Sequence, residues 1–235
     1  MTRLLVHVEG ETEEGFVNQV LAPHLRAFGY TMVSARLIGH ARRRAKRGGI
    51  KPWAAVKGDI VRHLREDRAC VATTMVDFYA MPQTGQRAWP GRAAAASASG
   101  AAAKAAMVER ALAAELAKAM GRDFSTARFV PFVTMHEIDA LLFSDCETFA
   151  RSLRQPDLQG RLQGTRNQFE TPEEINDSVN TAPSKRIEAL FPAYQKVLHG
   201  VQALSAIGMD VIRRECPHFR AWIERLAALP TSADA

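Results

Sequence analysis

The chain has 235 residues, of which 47% are hydrophobic and 24% are charged, and its formal net charge is +6. A chain of this length and composition can bury a hydrophobic core, so full disorder is excluded. It could form one domain with an appendage or two small domains. No apolar run approaches the roughly 20 residues of a membrane-spanning helix. The first residues have the hydrophobic pattern of a strand and lack the profile of a signal peptide. We therefore expect a cytoplasmic protein that does not associate with a membrane.

The cysteines and the basic character of the chain narrow its class further. Cys70, Cys146 and Cys216 lie far apart, so their spacing indicates neither a disulfide framework nor a structural zinc site. We expect reduced cysteines that pack in the interior. A pI of about 9.5 favours polyanionic partners. Many basic proteins bind no nucleic acid, so the position of the charge matters more than its sum.

The first predicted strand, residues 4–8, runs into an acidic turn. Gly10 allows a sharp turn, and Thr12 is predicted to cap the helix that follows. Clustered carboxylates repel one another unless water or a cation lies between them, and a divalent metal is the obvious candidate. The alternative is that the acids only favour the helix N-terminus through its dipole. The carboxylates of this turn are Glu9, Glu11, Glu13 and Glu14, of which Glu11 and Glu14 are expected to face solvent.

The first predicted helix should kink or split at Pro23 and end at Gly29, before a second strand over residues 31–37. A dense, acid-free basic segment comes next. Such a segment would hold a nucleic-acid backbone with salt-dependent affinity and without reading its sequence. Its members are Arg42, Arg43, Arg44, Lys46, Arg47 and Lys51.

A helix is predicted after Pro52, with Trp53 in the core rather than stacked on a base. The next strand, residues 70–76, is apolar and therefore buried, and it ends at Asp77. The order of strand and then carboxylate thus occurs a second time.

Residues 78–103 are rich in Pro, Gly, Ser and Ala, a composition that predicts a long mobile loop. Trp89 in this loop is a candidate ligand contact. A helix that closes at Gly121 follows, and then a fourth strand over residues 128–134, despite Pro131.

The alternation of strands and helices predicts an α/β fold with an open, mainly parallel sheet flanked by helices. Beyond Ser144 the pattern predicts short helices only. We therefore expect an α/β domain over residues 1–145 and a helical C-terminal extension over residues 146–235. Phe219 and Trp222 in that extension could form an interface or a packed lid.

Acidic residues follow three of the predicted strands, and in a parallel sheet the carboxyl ends of the strands share one edge. Glu9, Asp77 and the pair Glu137 and Asp139 should therefore converge. Oxygen ligands without a cluster of histidines or cysteines select Mg²⁺ or Mn²⁺ over zinc.

Residues 8–13, VEGETE, together with the later strand that ends at Asp77, resemble the TOPRIM domain of topoisomerases, primases and the overcoming-lysogenization-defect nucleases. The resemblance is nearest to small stand-alone TOPRIM-like proteins that are encoded beside ATPases in phage-defence loci. Segments like residues 135–145, MHEIDALLFSD, and residues 182–186, APSKR, occur there too. The likeness covers residues 4–145, is weaker over the helical tail, and implies a TOPRIM-like fold.

The resemblance implies that Glu9 is a metal ligand or general base and that Asp77 is the first acid of the second motif. One departure matters, because Tyr79 stands where the family has a second acid. Glu137 or Asp139 could complete the metal shell, one ion alone could bind well, or catalysis could be lost. The predicted catalytic residues are Glu9, Glu13, Asp77 and Glu137, and the predicted metal ligands are Glu9, Asp77, Glu137 and Asp139.

A second basic group lies in the tail. Lys185 and Arg186, with Lys196 further on, could hold a phosphate, because Ser184 is predicted to begin a helix whose N–H groups favour anions. The alternative is an ordinary solvated basic face. His136 could orient water or contact phosphate, although a lone histidine at a helix start is more often structural.

Our first functional hypothesis is a Mg²⁺- or Mn²⁺-dependent nuclease that acts on DNA or RNA. Its role as the effector of an ATPase-partnered phage-defence system follows from the resemblance alone. The second hypothesis is a catalytically weak TOPRIM-like module that binds nucleic acid or a partner protein. A third is nucleotidyl transfer or primer synthesis, although the sequence has no P-loop motif.

Overall fold

The computed structural model describes residues 2–38, 49–176 and 181–230, and its centre is a parallel sheet. The strand order is β2-β1-β3-β4, and β5 also pairs with β3. Each pairing in the described residues is parallel, so the predicted parallel α/β sheet is confirmed. The strands are β1 (Thr2–Val8), β2 (Tyr30–Leu37), β3 (Cys70–Asp77), β4 (Phe129–Val130) and β5 (Val133–Thr134).

The fourth predicted strand is split in two. Pro131 lies between β4 and β5, and a proline has no N–H to donate to the sheet. Both pieces still pair with β3, with Ala72 opposite Phe129 and Asp77 opposite Thr134.

The helical segment after β1 has three parts: α1 (Glu11–Phe16), a π-helical turn (Val17–Leu21) and α2 (Ala22–Arg26). The irregularity predicted at Pro23 takes the form of the wider π-helical turn just before this residue. Pro23 has no N–H, so one helical hydrogen bond is lost there. The predicted cap is wrong, because the helix begins at Glu11, with Gly10 in the capping position and Thr12 buried inside the first turn. Gly29 has a φ of +100°, as its role as a stop requires.

One face of the sheet is covered by α3 (Trp53–Glu66) and α5 (Ala101–Met120), with α4 (Arg92–Ala95) before α5. The mobile loop and the ligand-contact role predicted for Trp89 are wrong. Trp89 is only 2% exposed, and its ring centroid lies 5.2 Å from that of Trp53. Its indole N–H donates to the Lys51 carbonyl at 2.9 Å. Small residues permit close packing here, since a Cβ on Gly91 would lie 2.9 Å from that of Ala111.

Helices and turns make up the described part of the chain after a 3₁₀ segment, Ile138–Ser144. A π-helical turn, Lys196–Gly200, precedes α9, and shorter 3₁₀ turns join other elements. The helices are α6 (Cys146–Ser152), α7 (Gln159–Arg166), α8 (Pro183–Leu190), α9 (Val201–Ile207), α10 (Met209–Glu215) and α11 (Pro217–Ala228).

The C-terminal helices share one hydrophobic core with β1 and α1. Phe219 and Trp222 are buried, so of the two alternatives they form a packed lid and not an exposed interface. The Trp222 indole stacks on Phe132 at 4.3 Å and donates to the Thr73 hydroxyl of β3 at 2.9 Å. The division between residues 145 and 146 stays a prediction.

The three cysteines are buried and free, as expected for packing residues. Among the described helices, none is long and apolar enough to cross a membrane.

Candidate functional site

The site forms at the carboxyl ends of the central strands. Val8 of β1 lies opposite Met75 of β3, so Glu9 and Asp77 emerge side by side at the same edge of the sheet. Asp77 is paired in register with Thr134 of β5, and the chain continues from there to Glu137. Parallel pairing thus brings together acids that are far apart in sequence.

Glu9 is half-buried, and the carbonyl of its backbone accepts the Gly49 N–H at 3.1 Å. Burial raises the pKa of Glu9, while backbone N–H groups of Asp77 and Ile50 and the charge of Lys196 lower it. Within the described residues its Oε2 atom is buried and has no hydrogen-bond partner. An unpaired carboxylate oxygen of this kind is costly unless a cation or another donor satisfies it.

Glu13 lies on α1, one turn beyond Glu9. Its Oε2 atom folds back over Gly10, where an added Cβ would be only 3.1 Å away. Burial and the negative charges of Glu9 and Asp139 raise the pKa of Glu13 to about 7, against the opposing charge of Lys196. Burial and the neighbouring acids thus favour the protonated form of the Glu13 carboxyl.

Asp77 shows the strongest effect of the crowding. Its pKa is raised well above the usual range, first by burial and then by the negative charges of Glu13, Glu9 and Glu137. Each of these charges disfavours ionisation of its neighbours, which is the behaviour of carboxylates that share one site.

Glu137 and Asp139 are held by partners from the C-terminal helices. The Lys196 ammonium lies 2.7 Å from Glu137 Oε1 and 3.4 Å from Asp139 Oδ2. The Ser184 N–H, at the start of α8, donates to Glu137 Oε2 at 2.9 Å. Burial raises the pKa of Glu137, but Lys196 and Ser184 outweigh burial and leave that pKa below its usual value.

Asp139 is almost fully buried, and its Oδ1 atom accepts a hydrogen bond from the Tyr194 hydroxyl. Burial raises the pKa of Asp139 even though Lys196 and Tyr194 oppose that shift. Glu137 and Asp139 therefore carry their own built-in counter-charge, whereas Asp77 has no ion pair in the described part of the chain.

Lys196 and Tyr194 are functional candidates whose place in the acidic group the sequence did not reveal. The sequence linked Lys196 to Lys185 and Arg186, and among the contacts that the structure describes it is Lys196 that pairs with Glu137 and Asp139. Lys185 is exposed and pairs with Glu188, while Arg186 donates to the Thr181 carbonyl. The anion at the N-terminus of α8 is the Glu137 carboxylate itself.

Five predicted nucleic-acid contacts lie outside the described residues. The residues that flank them are anchored at the site, since the N–H of Ile38 donates to the Val8 carbonyl at 2.8 Å and that of Gly49 to the Glu9 carbonyl. Lys51, the sixth member, is half-buried just before α3. The contacts outside the description are Arg42, Arg43, Arg44, Arg47 and Lys46, and their role stays a prediction.

The donor set suits a hard divalent cation. The cluster offers carboxylate oxygens without a nearby thiolate, and Mg²⁺ and Mn²⁺ prefer such ligands. The unpartnered oxygen of Glu9 and the raised pKa of Asp77 mark an excess of negative charge that a cation would offset. Across the three described ranges, no three histidine, cysteine or acidic side chains already have the spacing of a metal shell.

The comparisons with known proteins give one family and one fold similarity. The family model described as domain of unknown function (DUF4276) matches residues 8–227. No curated protein matches the chain. Two structures of the C-terminal region of the Xanthomonas campestris pv. campestris OLD protein, phased with platinum and with iodine, are similar at 14% identity. The first has a TM-score of 0.46 and covers 99% of this chain and 96% of that one; the second has 0.43, 100% and 98%.

Proposed function

The chain belongs to the DUF4276 family, and we propose that it is a divalent-metal-dependent nuclease that hydrolyses phosphodiester bonds of DNA or RNA. One observation carries the proposal: acidic side chains from separate segments of the chain meet at the strand ends and raise one another's pKa values. The resemblance of residues 8–13 to a TOPRIM motif points to the same chemistry.

In this proposal Glu9, Asp77, Glu137 and Asp139 hold Mg²⁺ or Mn²⁺. Such an ion supplies Lewis acidity toward a phosphate oxygen and lowers the pKa of water. Glu9 and Asp77 are the principal ligands, because Glu137 and Asp139 already face the Lys196 ammonium.

The side chains supply proton transfer and charge. A pKa of about 7 lets Glu13 accept or donate a proton at neutral pH, as a general base or acid must. The Lys196 ammonium is fixed by two carboxylates and places a positive charge where a phosphate would approach. Lys51, Lys185, Arg186 and the basic segment before Lys51 would hold the rest of the polynucleotide backbone.

A second candidate function is a catalytically weak module that binds nucleic acid or a partner protein. Two observations favour it: Tyr79 occupies the place of the second acid, and Lys196 already compensates Glu137 and Asp139. An ATPase partner and a role in phage defence rest on the resemblance alone, and a cytoplasmic location rests on the sequence; all three are compatible with either proposal.

The experiment measures cleavage of single- and double-stranded DNA and RNA in Mg²⁺ and in Mn²⁺. Glu9→Gln and Asp77→Asn replace a carboxyl group that can ionise and bind a metal with a neutral amide of nearly the same size, and we expect each to slow cleavage by about 10²-fold or more. Glu11→Gln is the matched control, because Glu11 lies on the same turn but is exposed. If the Glu9 and Asp77 variants cut as fast as wild type, the proposed site is wrong.

A further inference from the structure

Tyr79 is an exposed aromatic residue beside the acidic site. Its side chain is 54% exposed, although it follows the buried strand β3 by only two residues. A single exposed ring is common at a protein surface, but this one lies two residues after Asp77 and has a stacked partner.

The Tyr79 ring is held in a fixed orientation. It stacks on the imidazole of His136, with 5.2 Å between the ring centroids and an angle of 12° between the planes. Phe78 packs edge-on against it, and the Arg92 guanidinium lies 5.6 Å from its centroid. His136 is itself anchored, because its Nδ1 atom accepts from the Asn176 amide at 3.1 Å. A ring that is already ordered loses little conformational entropy when a ligand stacks on it.

The stacked pair faces a cavity of about 230 Å³, which has room for one planar base. Tyr79 and His136 line this cavity together with the small residues Gly100 and Ala101. Two charged residues also line the cavity: Lys104, whose positive charge suits a phosphate, and Glu174, whose negative charge does not.

The platform is also joined to the acidic site through the chain. Asp77 precedes Tyr79 by two residues, and Glu137 directly follows His136. A base in this cavity would therefore place its neighbouring phosphate near the carboxylates. The residue that departs from the TOPRIM pattern is thus the one that offers a ring to a ligand.

We propose that the exposed Tyr79 ring, backed by the buried His136 imidazole, forms a stacking platform for one unpaired nucleobase, so that the substrate is a single-stranded segment of nucleic acid. This inference rests on the proposed nuclease function for the rest of the polynucleotide. Inside a duplex the faces of a base are covered by its neighbours, so only an unpaired or extruded base can stack on the platform. Stacking on a ring tolerates every base, because each base has a π-face.

The test uses a short single strand that carries one 2-aminopurine, whose fluorescence is quenched when it stacks, and the matching duplex, both in Ca²⁺. We expect wild type to quench the single strand. Tyr79→Ala should abolish the quenching and weaken single-strand binding by about 5- to 150-fold, with duplex binding unchanged. Tyr79→Phe restores the ring and should restore the quenching. Phe28→Ala is the control, because Phe28 is 38% exposed and precedes β2 at the opposite edge of the sheet.

The contrary outcomes separate the platform from the nuclease. If Tyr79→Ala quenches like wild type while Glu9→Gln still abolishes cleavage, the platform is wrong and the nuclease stands. Equal weakening of single-strand and duplex binding by Tyr79→Ala would also overturn the platform. If wild type binds neither form and cleaves nothing, the proposed function falls and the platform falls with it.

Discussion

Replacing Lys196 with methionine tests how the acidic cluster is balanced. The substitution keeps the length of the side chain but removes the ammonium that lies 2.7 Å from Glu137 and 3.4 Å from Asp139. The Asp139 side chain is only 1% exposed, so its charge cannot be solvated in place of the lost partner. Removal of one partner of a buried ion pair costs about 3–5 kcal/mol.

We take the lower end of that range, because the Lys196 side chain is 35% exposed and water screens part of the interaction. Lys196→Met should therefore lower the free energy of unfolding by about 3 kcal/mol and the melting temperature by roughly 6–12 °C. Lys185→Met is the matched control. It removes the exposed ion pair with Glu188 and should cost no more than about 1 kcal/mol.

The cost of Lys196→Met should also depend on pH. Lys196 helps to hold the pKa of Glu137 below its ordinary 4.5, so the stability that this pair contributes is present above pH 4.5 and is lost as the pH falls through the lowered pKa. The loss of Lys196 also raises the pKa of Asp139, whose protonation then relieves the unpaired charge. Urea unfolding of both proteins from neutral pH down to pH 4.5 and below should show the difference shrinking. A penalty as small as that of Lys185→Met, or one that does not change with pH, would refute this reasoning.

Two further predictions concern the scaffold of the site. Burial lowers the pKa of His7 from 6.5 to about 4. The free energy of unfolding that comes from keeping this imidazole neutral is therefore fully present above pH 6.5. It falls by about 3 kcal/mol in total as the pH falls to about 4. His7→Gln should lack this component in urea unfolding at several pH values, and a pH profile identical to that of wild type would contradict it. Arg128 donates to the carbonyls of Leu64, Asp67 and Cys70, so Arg128→Ala should cost about 2–4 kcal/mol in thermal unfolding. Exposed Arg122→Ala serves as its control, and equal costs for the two would contradict that role.

The parts of the fold that repeat a simple period were predictable. The apolar runs before Glu9 and Asp77 are buried parallel strands, and parallel pairing puts their ends at one edge. The convergence of these two acids therefore follows from strand pattern and topology alone.

Residues whose role depends on tertiary packing were not predictable from local patterns. Trp89 lies in a stretch of Ala, Gly and Pro that is typical of a loop, but its ring fills a gap beside Trp53. Tyr194 lies in an irregular stretch, and only the folded chain brings it to Asp139. Lys196 was grouped with other basic residues, and no local signal shows that its partners precede it by more than 50 residues.

The exposed ring of Tyr79 shows the same limit in another way. In the sequence, Tyr79 was noticeable only because it stands where the TOPRIM pattern has a second acidic residue. The structure adds a stacked partner, His136, and an adjoining cavity, neither of which a linear pattern contains.

The most direct test of the central claim is calorimetric titration of Mn²⁺ into wild type, Glu9→Gln and Asp77→Asn. We expect wild type to bind with release of protons at neutral pH, because the pKa of Glu13 is about 7 and that of Asp77 is raised, and a bound cation would lower both. The heat should accordingly change with the ionisation enthalpy of the buffer, and each variant should bind much more weakly. Absence of binding to wild type at millimolar Mn²⁺, or equal binding to all three proteins, would contradict a metal-dependent site at these carboxylates.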